Sequence, residues 1–312
     1  MAETNPAGTR TRVDMAASGL EKLVDADAPL DQIAHGLKFG EGPLWDQRSG
    51  RLLWVDIIGN TIWQWRPTVG SSVLVRPSNH ANGLTLDRQG RIVVAGWSAR
   101  TILRIEPDGS FVTLAAHYQG KKFNGPNDIV VRSDGTIYWT DTFGALVIPG
   151  MVGEDLQRYL DIQGVFMLAP GDKEVRLAID DCVYPNGLAF SPDESLLYVN
   201  DTRLGIIRAF DMKADGSVGA GRLFHKLAGS EPGVADGLKV DRAGNVYCTG
   251  PGGIHVMDAS GSLLGRLRIP GHTTNMAWGD PDWRSLFITT YTSVFRIRMR
   301  TTGIAVGPES AG

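Results

Sequence analysis

Six segments of this chain carry one short pattern, and that recurrence limits the possible folds more than any other feature. They read Glu-Gly-Pro-Leu-Trp-Asp from Glu41, Asn-Gly-Leu-Thr-Leu-Asp from Asn82 and Asn-Asp-Ile-Val-Val-Arg from Asn127. The remaining three read Asn-Gly-Leu-Ala-Phe-Ser from Asn186, Asp-Gly-Leu-Lys-Val-Asp from Asp236 and Asn-Met-Ala-Trp-Gly-Asp from Asn275. Each opens on Glu, Asn or Asp, runs through mostly apolar residues and closes on a polar one. A turn and a second apolar run follow each time, as in Leu52–Val55, Ile92–Ala95 and Leu196–Val199, and then a third, as in Ile62–Trp65, Ile102–Ile105 and Ile206–Phe210. Runs this short with strand character and frequent turns predict three strands per unit, with a fourth in the connecting segments.

Successive openings lie 41, 45, 59, 50 and 39 residues apart, close to the roughly 40–50 residues of a four-stranded propeller blade. An all-β, six-bladed β-propeller is therefore expected. Thirty-nine glycines and sixteen prolines spread along the 312 residues fit many strands and turns. Radial closure protects edges that a solenoid would leave bare, and Gln32 to Leu37 is the segment expected to pair with the last blade. The propeller is placed at residues 31–302, with polar tails at 1–30 and 303–312.

In a propeller the innermost strands run along the central channel in a common direction, so residues at one offset form a ring. Here that ring is Glu41, Asn82, Asn127, Asn186, Asp236 and Asn275. A single Asn or Asp before a strand is ordinary turn chemistry; six at one offset ask for another reason. Two carboxylates about 4 Å apart repel by roughly 4 kcal/mol at an effective dielectric of 20, so a cation or a proton must lie between them. Carboxylate and amide oxygens suit a hard divalent ion, which makes Ca²⁺ the first choice, with Mg²⁺ or Mn²⁺ as alternatives.

Taken together, Gly40 to Trp45, Phe123 to Asp128, Ser133 to Asp141, Tyr184 to Asp193, Ala235 to Gly237 and Thr274 to Gly279 resemble the senescence marker protein (regucalcin), gluconolactonase and luciferin-regenerating enzyme family of six-bladed propeller hydrolases. The resemblance runs from about Gln32 to Ile297. It implies Glu41, Asn186 and Asp236 as metal ligands, with Asn127 as a fourth ligand or a substrate contact, and it widens the choice of ion to include Zn²⁺. It also implies a lactonase in which Asp236 is the general base. Glu41 is the only other carboxylate in the ring, so the residue chemistry points the same way.

Loops after the second strands and before the first strands share the metal face. They bring Ile57, Ile58, Trp97, Phe143, Arg203 and Tyr291 to the mouth, together with His80, Lys122, Asn124, Tyr184 and His272. Of these, Trp97, Asn124, Tyr184 and Arg203 are taken as substrate-binding candidates, along with the ring residues Asn82, Asn127 and Asn275. The third blade's insertion, 142–161, is a candidate lid.

A net charge of -3 with no run of like charges argues against nucleic acid or an anionic membrane as partner. No apolar stretch is long enough to span a bilayer, and Arg12 and Asp14 stand where a signal peptide needs its apolar segment. A cytoplasmic protein acting on a small molecule is expected, and Cys182 and Cys248 suggest neither a metal motif nor a disulfide. Three functions compete: a sugar lactonase acting on gluconolactone-like or pentonolactone substrates, a hydrolase of aromatic or alkyl lactones or of phosphotriesters, and a binding propeller whose metal is purely structural.

Overall fold

The computed structural model describes residues 12–147, 151 and 154–308, and these build six antiparallel sheets around one axis. The first blade runs Gly40–Asp46, Arg51–Asp56, Thr61–Arg66 and Gly70–Val75 from the axis outward. The next four begin at Ala81–Leu86, Pro126–Val131, Pro185–Phe190 and Leu238–Val240, and the sixth at Thr273–Gly279. The expected six-bladed propeller is therefore observed, with the fourth strands present. In the last blade the outer position is filled by Leu30–His35, paired antiparallel to Ser293–Arg298, so the chain's two ends close the circle as the sequence implied.

Apolar side chains from facing blades interlock, and the core lies between sheets. Leu53, Val55 and Ile62 meet Leu84, Val94 and Leu103 between blades one and two. Tyr138, Val165 and Met167 meet Leu188, Leu197 and Phe210 between blades three and four. The alternation along each strand that suggested sheet thus serves two interfaces, one on each face.

Two segments differ from the tails expected at the termini. Arg12–Met15 pairs with Leu263–Arg268 as a fifth strand on the fifth blade, and Leu20, Val24 and Ala28 are buried. At the other end Gly303 donates to the Trp283 carbonyl at 2.8 Å, and Ile304–Gly307 lines a cavity of about 160 Å³ in the channel. Polar composition hid both, because an added strand needs only main-chain partners and a few apolar anchors. Residues 1–11 and 309–312 of those tails lie outside the described residues.

At the axis the blades approach so closely that side chains are excluded. A Cβ built on Gly42 would lie 2.1 Å from the Asn82 carbonyl oxygen, and one on Gly187 would lie 2.2 Å from that of Asp236. The X-Gly repeat therefore has a packing cause: the residue after each ring position touches the backbone of the next ring position. Blades three and six carry Asp128 and Met276 at that offset, and hydroxyls span the gap there instead. Thr140 donates to the Asn186 carbonyl at 2.8 Å, and Thr274 to that of Gly40 at 2.6 Å. We predict that Gly187→Ala costs about 1–3 kcal/mol by overpacking against backbone that cannot yield. Thermal unfolding should show a drop of several degrees, and an unchanged midpoint would refute the contact.

Candidate active site

Five of the six inner strands carry a bulge at the ring position. In the first blade Glu41 pairs with Val55 and Leu44 with Leu53, which leaves one extra residue on the inner strand. The same irregularity occurs between Ala81 and Leu84, Pro126 and Ile129, Pro185 and Leu188, and Thr273 and Asn275. A bulge re-aims a side chain, so the motif marks a repeated break in the ladder. A second repeated device holds the approach to the ring. Asp56, Asp141 and Asp201, at the ends of second strands, accept from the backbone of Lys38 and Phe39, of Asn124 and Gly125, and of Val183 and Tyr184 respectively.

The ring residues differ in how their polar atoms are occupied. Glu41 is buried, and its Oε2 accepts from the Gly42 N–H at 2.6 Å and the Asn275 amide at 3.0 Å. Asp236 keeps some exposure, yet its carboxyl is enclosed by protein and within hydrogen-bonding reach of Asn186 and Glu41. The Asn186 amide donates to Thr202 at 3.1 Å and to Asp236, and among the described residues its oxygen has no hydrogen-bond partner. Asn82 and Asn127 are buried, and among the described residues their amides have no protein hydrogen-bond partner. Asn275 is spent differently: its nitrogen serves Glu41, and its oxygen accepts from the Met276 N–H at 2.8 Å and faces Lys239 at 3.4 Å.

Burial pushes the Glu41 carboxyl up to about 7, against the pull of the Gly42 N–H, with Asp128 adding to the rise. Asp236 lies well above the usual carboxylate range, first through burial and then through the charges of Glu41 and Asp128. Two enclosed carboxyls in contact must share a proton or a cation. Among the described residues no group of three His, Cys, Asp or Glu is placed to hold a metal, so an ion here would rely on two carboxylates plus amide oxygens. Amide groups of buried asparagines beside a strained acid pair offer such an ion neutral oxygen donors, and the donor set suits a hard divalent cation.

Sequence reasoning missed Asp128. It is buried behind the ring, with Oδ1 on the Ile129 N–H at 2.8 Å and Oδ2 3.5 Å from the Lys239 ammonium. The signal was available, since blade three has Asn-Asp where four others have Glu, Asn or Asp followed by Gly.

Around the mouth the expected residues separate. Tyr184 lies against Gly144 so closely that a Cβ there would overlap its hydroxyl, and burial, then Asp236, pushes its phenol up to about 12. Tyr291 stacks between Phe39 and His272, with centroids 4.4 and 4.3 Å away, and also feels Asp236 and Glu41. Arg203 is exposed beside Tyr184. Trp97 instead packs with Ile57, Leu146 and Met151 in an apolar wall. Asn124 is not at the mouth surface. It is fully buried, and its amide serves Tyr159, Leu160 and Ile162, pinning the end of the third blade's insertion. Phe143, Leu146 and Met151 of that insertion pack with Ile57 and Trp97, while Leu156 is exposed and residues 148–150 and 152–153 of the expected lid lie outside the described residues.

Residues 39–292 match the family described as SMP-30/Gluconolactonase/LRE-like region. This chain belongs to that family. It is similar to a gluconolactonase of Zymomonas mobilis, 30% identical over 307 residues that cover 91% of this chain and 85% of that one. It is also similar to the regucalcin of Xenopus laevis, 29% identical over 82% of this chain and 84% of the relative. Among solved structures a gluconolactonase from Xanthomonas campestris superposes with a TM-score of 0.86 at 31% identity, covering 95% of this chain and 99% of the other.

The acid pair predicts a pH signature. A carboxyl whose folded value lies above its unfolded value stabilises the fold while protonated. That contribution is complete below about 4.5 and is lost as the pH rises through about 7. In chelator, the unfolding temperature of the wild type should fall relative to Glu41→Gln by several degrees between about pH 5 and 8. A gap that stays constant over that range would show that Glu41 is not strained.

Proposed function

We propose that the ring is the active centre of a metal-dependent lactonase that opens the ester of a sugar lactone, gluconolactone-like, to the sugar acid. The chain is a lactone ester hydrolase on this reading, and the family and its gluconolactonase relatives support it. The observation that carries the metal site is the contact of two enclosed carboxyls beside free amide oxygens. Glu41, Asn127, Asn186 and Asp236 would hold the ion, with Ca²⁺ preferred because every donor is a hard oxygen. When bound, the ion would polarise the lactone carbonyl and favour the charge that develops on its oxygen.

The chain's own residues supply the rest. Gly42 and Asn275 hold one Glu41 oxygen and so fix which oxygen faces the ring. Asp236, at the mouth side and partly exposed, takes the proton from the attacking water and returns it to the ring-opened hydroxyl as the ester C–O bond breaks. Its backbone is locked by the Thr249 hydroxyl on its N–H at 2.9 Å and by the Gly187 N–H on its carbonyl at 2.9 Å. Locking matters because a misplacement of about 1 Å can cost on the order of 10² in rate. Tyr184, Arg203 and Asn82 offer hydrogen bonds to the substrate's hydroxyls, and the Tyr291 ring offers a face to the sugar. The apolar wall of Ile57, Trp97 and Met151 favours, as second reading, a lactone with an alkyl or aromatic arm.

Proton release from a panel of aldono-1,5-lactones, pentonolactones, alkyl lactones and aromatic lactones tests both readings, before and after chelation and re-addition of single metals. We expect sugar lactones to lead, chelation to abolish turnover, and Asp236→Asn to lower kcat by at least about 10². Turnover that survives full metal removal, or that persists in Asp236→Asn, would sink the mechanism. No turnover of any lactone, with chelation still lowering the unfolding temperature, would leave a binding propeller.

A further inference from the structure

Below the ring, on the side away from the mouth, lies a charge pair that the mechanism leaves unused. Lys239 stands on the fifth blade's inner strand, three residues beyond Asp236, and its stem lines the far part of the channel. Its ammonium donates to the Leu238 carbonyl at 2.9 Å and faces the Asp128 carboxylate at 3.5 Å and the Asn275 amide oxygen at 3.4 Å. Lys239 and Asp128 stand on different blades, 111 residues apart, and meet only because the channel brings them together.

The pair is joined to the ring by charge. Asp128 acts on both Glu41 and Asp236, and Lys239 acts on Glu41 in the opposite sense. With the three carboxylates ionised, Glu41, Asp128 and Asp236 bring three negative charges to this enclosed space and Lys239 returns one positive. The remainder is two negative charges, which one divalent ion cancels. In a desolvated site such unit charges are screened little by salt, so the balance bears directly on which ion is held.

We propose that Lys239, set against Asp128 beneath the ring, fixes the ring's net charge at the value one divalent cation neutralises, and is thereby a selectivity residue for the ion. The inference rests on Glu41 and Asp236 being ion ligands. It differs from a structural ion pair in what it predicts. A structural pair would change stability and leave ion preference alone. A charge setter must change affinity in opposite directions when either partner is neutralised.

The test is calorimetric titration of the metal-free full chain with CaCl₂ and with TbCl₃, in wild type, Lys239→Met, Asp128→Asn, the double variant and Glu41→Gln. Lys239→Met should bind Ca²⁺ on the order of tenfold more tightly and gain still more for Tb³⁺, because the interaction scales with the product of charges. Asp128→Asn should bind Ca²⁺ on the order of tenfold more weakly, and the double variant should return close to wild type. Lys239→Arg should keep the wild-type preference. Binding by Lys239→Met that is unchanged or weaker overturns the proposal, as does Asp128→Asn binding unchanged. If Lys239→Met does not fold, Asp128→Asn and the charge-neutral double variant decide alone. If wild type and Glu41→Gln bind equally, or neither binds, the ring is not the ion site and both readings fall together.

Discussion

The inner strands converge on the axis until, in four of the six blades, only glycine fits after the ring residue, and most of what this protein does follows from that spacing. Gly42 against Asn82, Gly83 against Asn127, Gly187 against Asp236 and Gly237 against Asn275 are backbone contacts with no slack. They fix the height of each ring residue relative to its neighbour. Strand bulges at the same offset then turn the side chains to the axis. Separate β-sheets thereby bring polar groups together near the axis on rigid strands, which a loop-built site would struggle to match.

The consequence is electrostatic strain held by packing. Glu41 and Asp236 lie within hydrogen-bonding reach of each other in an enclosed space, on strands whose backbones are fixed by the contact between neighbouring blades. Such a pair is costly for the fold and useful for the site, because a cation entering it recovers the desolvation already spent. The scaffold that bears this strain is large. Trp45, Trp65, Phe287 and Leu286 join the sixth blade to the first in one cluster with the buried Leu20 and Val24 of the N-terminal segment. The added strand and the closing strand therefore bear on the site, although neither comes near it.

Repeat spacing and strand character made the fold legible, because period-2 patterning and fixed offsets survive uneven loop lengths. The same offsets led to all six ring residues, and the family motifs separated Glu41, Asn186 and Asp236 from the others. What could not be read was the state of each polar atom. Asn124 sits in the same motif as Asn127, yet its burial against the insertion depends on where Tyr159 to Ile162 return, and spacing does not encode that. Trp97 has the composition of a mouth residue and the packing of a wall residue for the same reason. Asp128 breaks the X-Gly pattern, but its sequence position does not show that it lies buried against Lys239 of another blade. Lys239, on an apolar inner strand, meets Asp128 only through the closure of the blades, which strand pattern does not encode.

The channel's two ends also explain why the ring is desolvated from below while remaining open above. On the mouth side Tyr184, Tyr291 and Arg203 leave a polar, partly exposed approach. On the far side Ile304 and Val306 lie across the channel among Leu44, Leu84, Ile129, Ala189 and Trp278, and Arg88 donates to the Gly307 carbonyl at 2.7 Å to hold the segment there. The partly exposed approach past Tyr184, Tyr291 and Arg203 is the direction from which a small ester must arrive. Burial raises the pKa of both Glu41 and Asp236, and a C-terminal segment more than twenty-five residues beyond the last ring position covers the far side of the channel. The site thus depends on the six blades, on the C-terminal segment across the far side of the channel and on the Lys239 ammonium beneath the ring.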